Sequence, residues 1–80
     1  MTIKVLGSGC MNCKTLEQRV NTALQELNIT ASVEKVEDFQ AIASYGILRT
    51  PGLVVDGKVV HSGSVPSVNA LKELLTAMRN

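Results

Sequence analysis

Cys10 and Cys13 are the only cysteines of this 80-residue chain, and they form a Cys-x-x-Cys motif around Met11 and Asn12. A separation of three residues places two sulfurs on the same side of a first helical turn, close enough to form a disulfide. Cys10 lies about where the N-cap of such a helix would be. There, unpaired N–H groups and the positive end of the helix dipole favour its thiolate, the form that attacks a disulfide. The motif therefore predicts thiol–disulfide exchange.

The two cysteines are predicted to differ in accessibility, and therefore in role. Cys10 ends a loop beside Gly9, which has no side chain to cover the sulfur, so this sulfur should reach solvent. Cys13 lies one turn into the helix, three residues before the apolar Leu16, so it should be shielded. The accessible thiolate makes the mixed disulfide with a substrate. We therefore expect Cys10 to attack and Cys13 to resolve the mixed disulfide.

Two alternative interpretations of the motif stay open. A pair of thiolates could carry a soft monovalent metal, although two sulfurs make only half of a closed zinc site and His61 is the only histidine. Buried cysteines can also act as small apolar side chains, which would suit an interaction module without catalysis. We expect no bound metal, and a metal titration beside a thiol-reduction assay would separate these possibilities.

The segments around the motif alternate between strand and helix patterns. Alternating side chains predict a strand over residues 2–6, and Gly7-Ser8-Gly9 then lets the backbone turn sharply. Apolar residues spaced i, i+4, i+7, i+8 and i+11 predict a helix from about residue 13 to 27. The later segments are a strand over 31–36, a short helix capped by Asp38, strands over 52–55 and 58–61 joined by Asp56-Gly57, and a final helix capped by Ser67.

The order β-α-β-α-β-β-α predicts an α/β fold. The first strand, helix and second strand should form a right-handed parallel unit, and the mixed polarity of the second strand indicates a sheet edge. The hairpin then completes a four-stranded mixed sheet, whose faces must be covered by helices because one layer cannot bury itself. In the short helix we expect Phe39, Ile42 and Ala43 on one face, with Phe39 in the core and Tyr45 at its edge.

Motifs in three parts of the chain, taken together, are specific enough to indicate a family. They are Gly9-Cys10-Met11-Asn12-Cys13 followed by Leu16, then Thr50-Pro51 with the hairpin over 52–60, and Gly63 with Pro66-Ser67 and the segment 71–75. This pattern covers nearly the whole chain and resembles the thioredoxin superfamily. It is most similar to the short thioredoxin-like and glutaredoxin-like proteins called small redox-active disulfide proteins. A lone Cys-x-x-Cys is only suggestive, but its distance to the other two motifs makes the match specific.

The resemblance implies a minimal thioredoxin-like fold and the activity of a protein thiol–disulfide oxidoreductase. It implies that Cys10 is the nucleophile and Cys13 the resolving thiol. On spacing alone Thr50–Pro51 would be an ordinary trans bond, whereas the family implies a cis bond there. The residues expected to contact the substrate are Met11, Asn12, Thr50, Pro51 and Gly63.

Length, charge and hydropathy indicate the number of domains, the location of the protein and the kinds of partner it can have. Eighty residues predict one domain over 1–80, and a net charge of +1 without a basic cluster argues against nucleic acid binding. The apolar runs are too short for a membrane span or a signal peptide, so we expect a cytoplasmic protein. We expect a monomer with no cofactor besides its Cys10–Cys13 disulfide. Its partners would be disulfide-containing proteins as substrates and an unidentified reductase as electron donor.

Overall fold

The computed structural model describes residues 1–79, and its elements follow the predicted order. They are β1 (Thr2–Leu6), α1 (Met11–Leu27), β2 (Ser32–Val36), α2 (Phe39–Ser44), β3 (Gly52–Val55), β4 (Lys58–Ser62) and α3 (Val68–Met78). The predicted β-α-β-α-β-β-α arrangement is therefore confirmed. None of the described helices combines the length and the apolar character needed to cross a bilayer.

The four strands form one mixed sheet in the order β2-β1-β3-β4, with β2 at an edge as expected. β1 pairs in parallel with β2, as a β-α-β unit requires, and antiparallel with β3. In the antiparallel pair Leu6 lies opposite Gly52, so β1 ends where β3 begins. The loop after β1, which leads to the cysteines, therefore meets the segment before β3, which carries Thr50 and Pro51.

The β3–β4 hairpin turns at Asp56 and Gly57, as the Asp-Gly pair predicts. Both residues have positive φ, 50° and 84°, which is the combination that a tight two-residue hairpin requires. The turn is also fastened to the start of β1. The Asp56 N–H donates to the Thr2 carbonyl at 2.8 Å, and the Thr2 N–H donates to Asp56 Oδ1 at 2.8 Å. This turn lies at the end of the sheet opposite to the cysteine loop.

Each face of the sheet has its own core. The larger core lies between the sheet and the helices α1 and α3, and its buried side chains are Ile3, Val5, Leu16, Val20, Ala23, Leu24, Leu53, Val55, Leu71 and Leu75. The smaller core lies under α2 and consists of Leu6, Ile42 and Val54. The cysteine motif therefore stands at the start of a helix that the larger core holds in place.

The prediction that Phe39 lies in the core is wrong. Its side chain is 82% exposed, and Ala43 is exposed as well, so Ile42 is the only buried residue of α2. The small core is closed around Ile42 by partly buried side chains, among them Tyr45 and Ile47, and Phe39 is not one of them. Tyr45 lies at the edge of this core, as expected.

Candidate active site

Cys10 and Cys13 form a disulfide across the first turn of α1, with their Cα atoms 5.1 Å apart. Cys10 is the N-cap, because its backbone is extended and its sulfur accepts the Cys13 N–H at 3.1 Å. Its carbonyl accepts the Lys14 N–H at 3.1 Å, the first intrahelical bond. The helix begins at Met11, earlier than the apolar periodicity indicates, because a cap can start a turn that has no apolar face. The predicted N-cap position of Cys10 is confirmed.

The two sulfurs differ in exposure, as the sequence predicts. Cys10 is exposed at the end of its loop, whereas Cys13 is 5% exposed. The peptide N–H directed at the Cys10 sulfur favours a thiolate there, because a charged acceptor makes a stronger hydrogen bond than a neutral one. The geometry suits attack by Cys10 from the solvent side and a later reaction of Cys13 inside the protein.

Gly7, the residue after β1, provides the space for the Cys13 sulfur. A β-carbon at this position would overlap with that sulfur and would lie 3.2 Å from the Cys13 β-carbon. The Gly7 N–H donates to the Val36 carbonyl at 2.9 Å, which holds the backbone in place. The φ of Gly7 lies outside the left-handed region, so the backbone conformation alone would accept other residues. The sequence indicates only a turn at Gly7, because its contact with Cys13 is a tertiary one.

The Thr50–Pro51 peptide bond is cis, as the family resemblance implies and contrary to what spacing alone favours. Pro51 is buried, and its carbonyl accepts the Gly63 N–H at 2.9 Å. The Thr50 β-carbon lies 3.8 Å from the position that a Gly7 β-carbon would occupy. The fold thus brings Thr50, Pro51 and Gly63 to the end of the sheet where the cysteine loop begins.

A pocket of about 80 Å³ lies beside Cys13, between α1 and the end of β2. Its lining includes four charged side chains, those of Lys14, Glu17, Lys35 and Glu37. Glu17 and Lys35 form an ion pair with 3.5 Å between Oε1 and Nζ, and the Glu17 side chain is 25% exposed. Sequence patterns do not indicate this pair, because it joins α1 to β2. The four-residue spacing from Cys13 to Glu17, which puts both on one face of a helix, indicates only that Glu17 lies near Cys13 and not that Lys35 pairs with it.

Large apolar side chains are exposed near this end of the sheet. Met11 is 79% exposed inside the motif, and Asn12 beside it is exposed as well. Phe39 and Leu48 are also largely exposed, and they line a groove of about 340 Å³ that continues to Thr50. Sequence patterns did not identify this groove, because hydropathy assigns such side chains to the core.

In the part of the chain that the structure describes, the two cysteine sulfurs do not belong to a larger cluster of metal-binding side chains. Within residues 1–79, no three His, Cys, Asp or Glu side chains are grouped so that they could hold a metal ion. The Nε2 atom of His61 lies 2.8 Å from the Ser64 hydroxyl. A metal carrier built from the described residues would have to bind with Cys10 and Cys13 alone.

Comparisons with known proteins find matches that cover almost the full length of the chain. A family model described as a thioredoxin domain matches residues 1–76. The chain is 38% identical over 76 residues to a thioredoxin from Methanothermobacter thermautotrophicus, covering 95% of this chain and 99% of that protein. It is 37% identical over 75 residues to a thioredoxin from Methanocaldococcus jannaschii, covering 94% and 86% of the two chains. Among solved structures, the N21Q mutant thioredoxin from Halobacterium salinarum NRC-1 superimposes with a TM-score of 0.68 at 25% identity, covering 95% of this chain and 72% of that one.

Proposed function

This chain belongs to the thioredoxin family and is a thiol–disulfide oxidoreductase, and from that premise we propose that it reduces disulfides in partner proteins, with Cys10 as nucleophile and Cys13 as resolving thiol. The observation that carries this assignment is the difference between the two sulfurs. Cys10 is exposed and receives a peptide N–H, whereas Cys13 is buried within the first turn. An intermolecular attack needs the exposed sulfur, and an intramolecular one does not.

The proposed reaction has two exchange steps. The Cys10 thiolate attacks one sulfur of the partner disulfide, a mixed disulfide forms, and the other partner sulfur leaves as a thiolate. Cys13 then attacks the Cys10 sulfur, the Cys10–Cys13 bond forms, and the second partner sulfur is released. Two electrons pass to the partner, and the enzyme ends in the disulfide form.

We propose that the partner segment lies across the surface around Cys10. Its proposed contacts are Met11, Asn12, Thr50, Pro51 and Gly63. The position of these residues supports the proposal. Pro51 is buried, and the hydrogen bond from the Gly63 N–H to the Pro51 carbonyl holds this backbone at the end of the sheet where the cysteine loop begins. The groove from Thr50 to Phe39 and Leu48 extends the same surface and favours a partner with apolar side chains near its disulfide.

Membership of the family implies disulfide-containing protein substrates and a reductase that restores the dithiol. We propose that an unidentified reductase passes two electrons to the Cys10–Cys13 disulfide. We further propose that the two sulfurs are the only redox group, so that no other cofactor takes part. The protein would act as a monomer in the cytoplasm, where the reducing conditions keep thiols in the dithiol form.

The two single cysteine variants test the roles. We expect Cys13→Ser to attack a protein that has one disulfide but to stop at the mixed disulfide, which a non-reducing gel detects as a stable adduct. We expect Cys10→Ser to form no adduct, because its remaining thiol is buried. Equal trapping by both variants, or trapping by neither, would contradict the assignment. A two-thiolate metal carrier would instead lose metal binding about equally in both variants.

A further inference from the structure

The loop between β4 and α3, residues 63–67, forms one side of the proposed partner surface. Gly63, its first residue, is exposed, and its N–H donates to the Pro51 carbonyl at 2.9 Å. A β-carbon on Gly63 would lie 3.6 Å from the Arg49 β-carbon, so the loop lies against the segment that leads into β3. The residues after Gly63 belong to no strand or helix until α3 begins. Their backbone therefore has no ladder of hydrogen bonds to hold it.

The side chain of Arg19, in α1, holds this loop from the side of the cysteines. Its Nη1 donates to the Pro66 carbonyl at 3.1 Å and to the Val65 carbonyl at 3.4 Å. A charged donor makes a stronger hydrogen bond to a carbonyl than a neutral donor does. Arg19 follows Cys13 by six residues in the same helix, which is about 9 Å along the helix axis. One side chain thus connects the helix that carries the thiols to the loop that carries Gly63.

Two other roles for the Arg19 guanidinium do not fit its surroundings. It does not take part in an ion pair, because the ion pairs found among residues 1–79 join other side chains. It does not stabilise the dipole of α3 either. The carbonyls that it binds lie just before Ser67, the N-cap of α3, and this end of a helix favours anions rather than cations. What the two hydrogen bonds fix is the position of the loop.

We infer that Arg19 is a positioning residue for protein substrates, which keeps the loop at a fixed distance from Cys10. This inference rests on the proposed function, in which the partner segment lies across the surface around Cys10. A protein disulfide that reaches Cys10 has to place its own backbone beside Gly63 and Thr50 at the same time. Because Arg19 holds the loop beforehand, the partner does not have to order it on binding. A small disulfide reaches the exposed Cys10 without contacting the loop.

The substitution Arg19→Met tests this role, because it keeps an unbranched side chain and removes the donors. Reduced protein is mixed with a small protein that has one exposed disulfide, or with an aromatic disulfide whose thiolate absorbs light. We expect the rate constant for the protein disulfide to fall about five- to tenfold, less than the roughly hundredfold loss that a misplacement of about 1 Å can cause. The rate constant for the aromatic disulfide should not change. Arg19→Lys, which keeps one charged donor group, should recover part of the loss.

Hydrogen exchange of the loop amides, measured by NMR, gives a second result that does not depend on activity. We expect the Gly63 and Ser64 amides to exchange faster in Arg19→Met, because the loop opens more often without its hydrogen bonds to α1. The matched control is Lys72→Met. Lys72 also connects α1 to the C-terminal part of the chain, through its bond to Glu26 at 3.0 Å, but it does not contact the loop. This control should leave both rate constants and the loop exchange unchanged.

Three results would overturn the inference: a wild-type rate with the protein disulfide in Arg19→Met, an equal loss with both disulfides, or the same loss in Lys72→Met. Faster loop exchange with an unchanged protein rate counts with the first of these, since the loop would then be held without guiding the partner. The proposed function fails separately, if the wild-type protein reduces neither disulfide. Circular dichroism confirms that each variant is folded. If Arg19→Met is not folded, Arg19→Gln, which keeps a neutral donor, takes its place and should show a smaller loss in the same direction.

Discussion

At the scale of single residues, the Cys13 sulfur determines which side chain can stand at position 7. The sulfur occupies the place of a β-carbon on Gly7, and the Gly7 backbone is tied to β2 by its hydrogen bond to Val36. In the disulfide the sulfur is fixed by its bond to Cys10, whereas in the dithiol no bond holds its side-chain torsion. A side chain on Gly7 therefore conflicts more with the oxidised form than with the reduced form.

We expect Gly7→Ala to destabilise the disulfide relative to the dithiol by about 1–3 kcal/mol, the usual range for overpacking. This corresponds to a reduction potential higher by about 20–60 mV, measured by equilibration with a glutathione buffer. The control is Gly46→Ala. Gly46 has a φ of 76° and no neighbour within 4 Å, so the change should lower stability without altering the potential. An unchanged potential in Gly7→Ala would show that the Cys13 sulfur has another position available.

At the scale of the elements, the order of helices and strands could be predicted from local patterns. Asp38 and Ser67 cap α2 and α3 with their side chains, and Asp56-Gly57 forms the hairpin, as their residue types predict. These features depend on neighbours a few residues apart. The pairing of Glu17 with Lys35 depends on how α1 lies over β2, which periodicity does not determine. Local signals therefore located the cysteines but not the charged pocket behind them.

The sequence predicts α2 and its cap correctly but wrongly places Phe39 in the core, and this difference has a measurable consequence. A buried Phe replaced by Ala would cost about 3–5 kcal/mol, but Phe39 is 82% exposed. We expect Phe39→Ala to change the free energy of unfolding by less than about 0.5 kcal/mol in a denaturant titration. For a protein substrate we expect kcat/KM to fall about fivefold or more, as for an aromatic contact residue, while a small aromatic disulfide reacts at the normal rate.

Ile42→Ala provides the comparison within the same helix. Ile42 is the one buried residue of α2, so this change should cost about 2–5 kcal/mol of stability. A large loss of stability in Phe39→Ala would mean that the ring is packed in solution. A normal rate with protein substrates would remove Phe39 from the proposed partner surface.

At the scale of the whole molecule, the protein must remain folded in both of its redox forms. The two buried cores consist of apolar residues from the sheet and all three helices, and neither of them includes Cys10 or Cys13. The disulfide closes a loop of only a few residues, and so short a loop contributes about 2 kcal/mol in the chain-entropy model. A chain of this size is typically stable by about 4–12 kcal/mol.

We therefore expect the reduced protein to unfold in one cooperative transition, with a free energy of unfolding lower than that of the oxidised protein by about 2 kcal/mol or less. Parallel denaturant titrations with and without a reducing agent measure this difference. Cys10→Ser, which cannot form the disulfide, should match the reduced wild-type protein. A reduced form that is unfolded without denaturant would mean that the disulfide, rather than the core, maintains the fold.

The Asp56-Gly57 turn makes the molecule suitable for oriented attachment. Its hydrogen bonds to Thr2 lie at the start of β1, and the cysteine loop follows the other end of that strand. A five-residue strand separates the two ends by roughly 17 Å. A fluorophore or a surface linker joined at the turn would stand well away from the thiols. The protein could then be fixed to an electrode or a bead with its reactive end directed towards the solution.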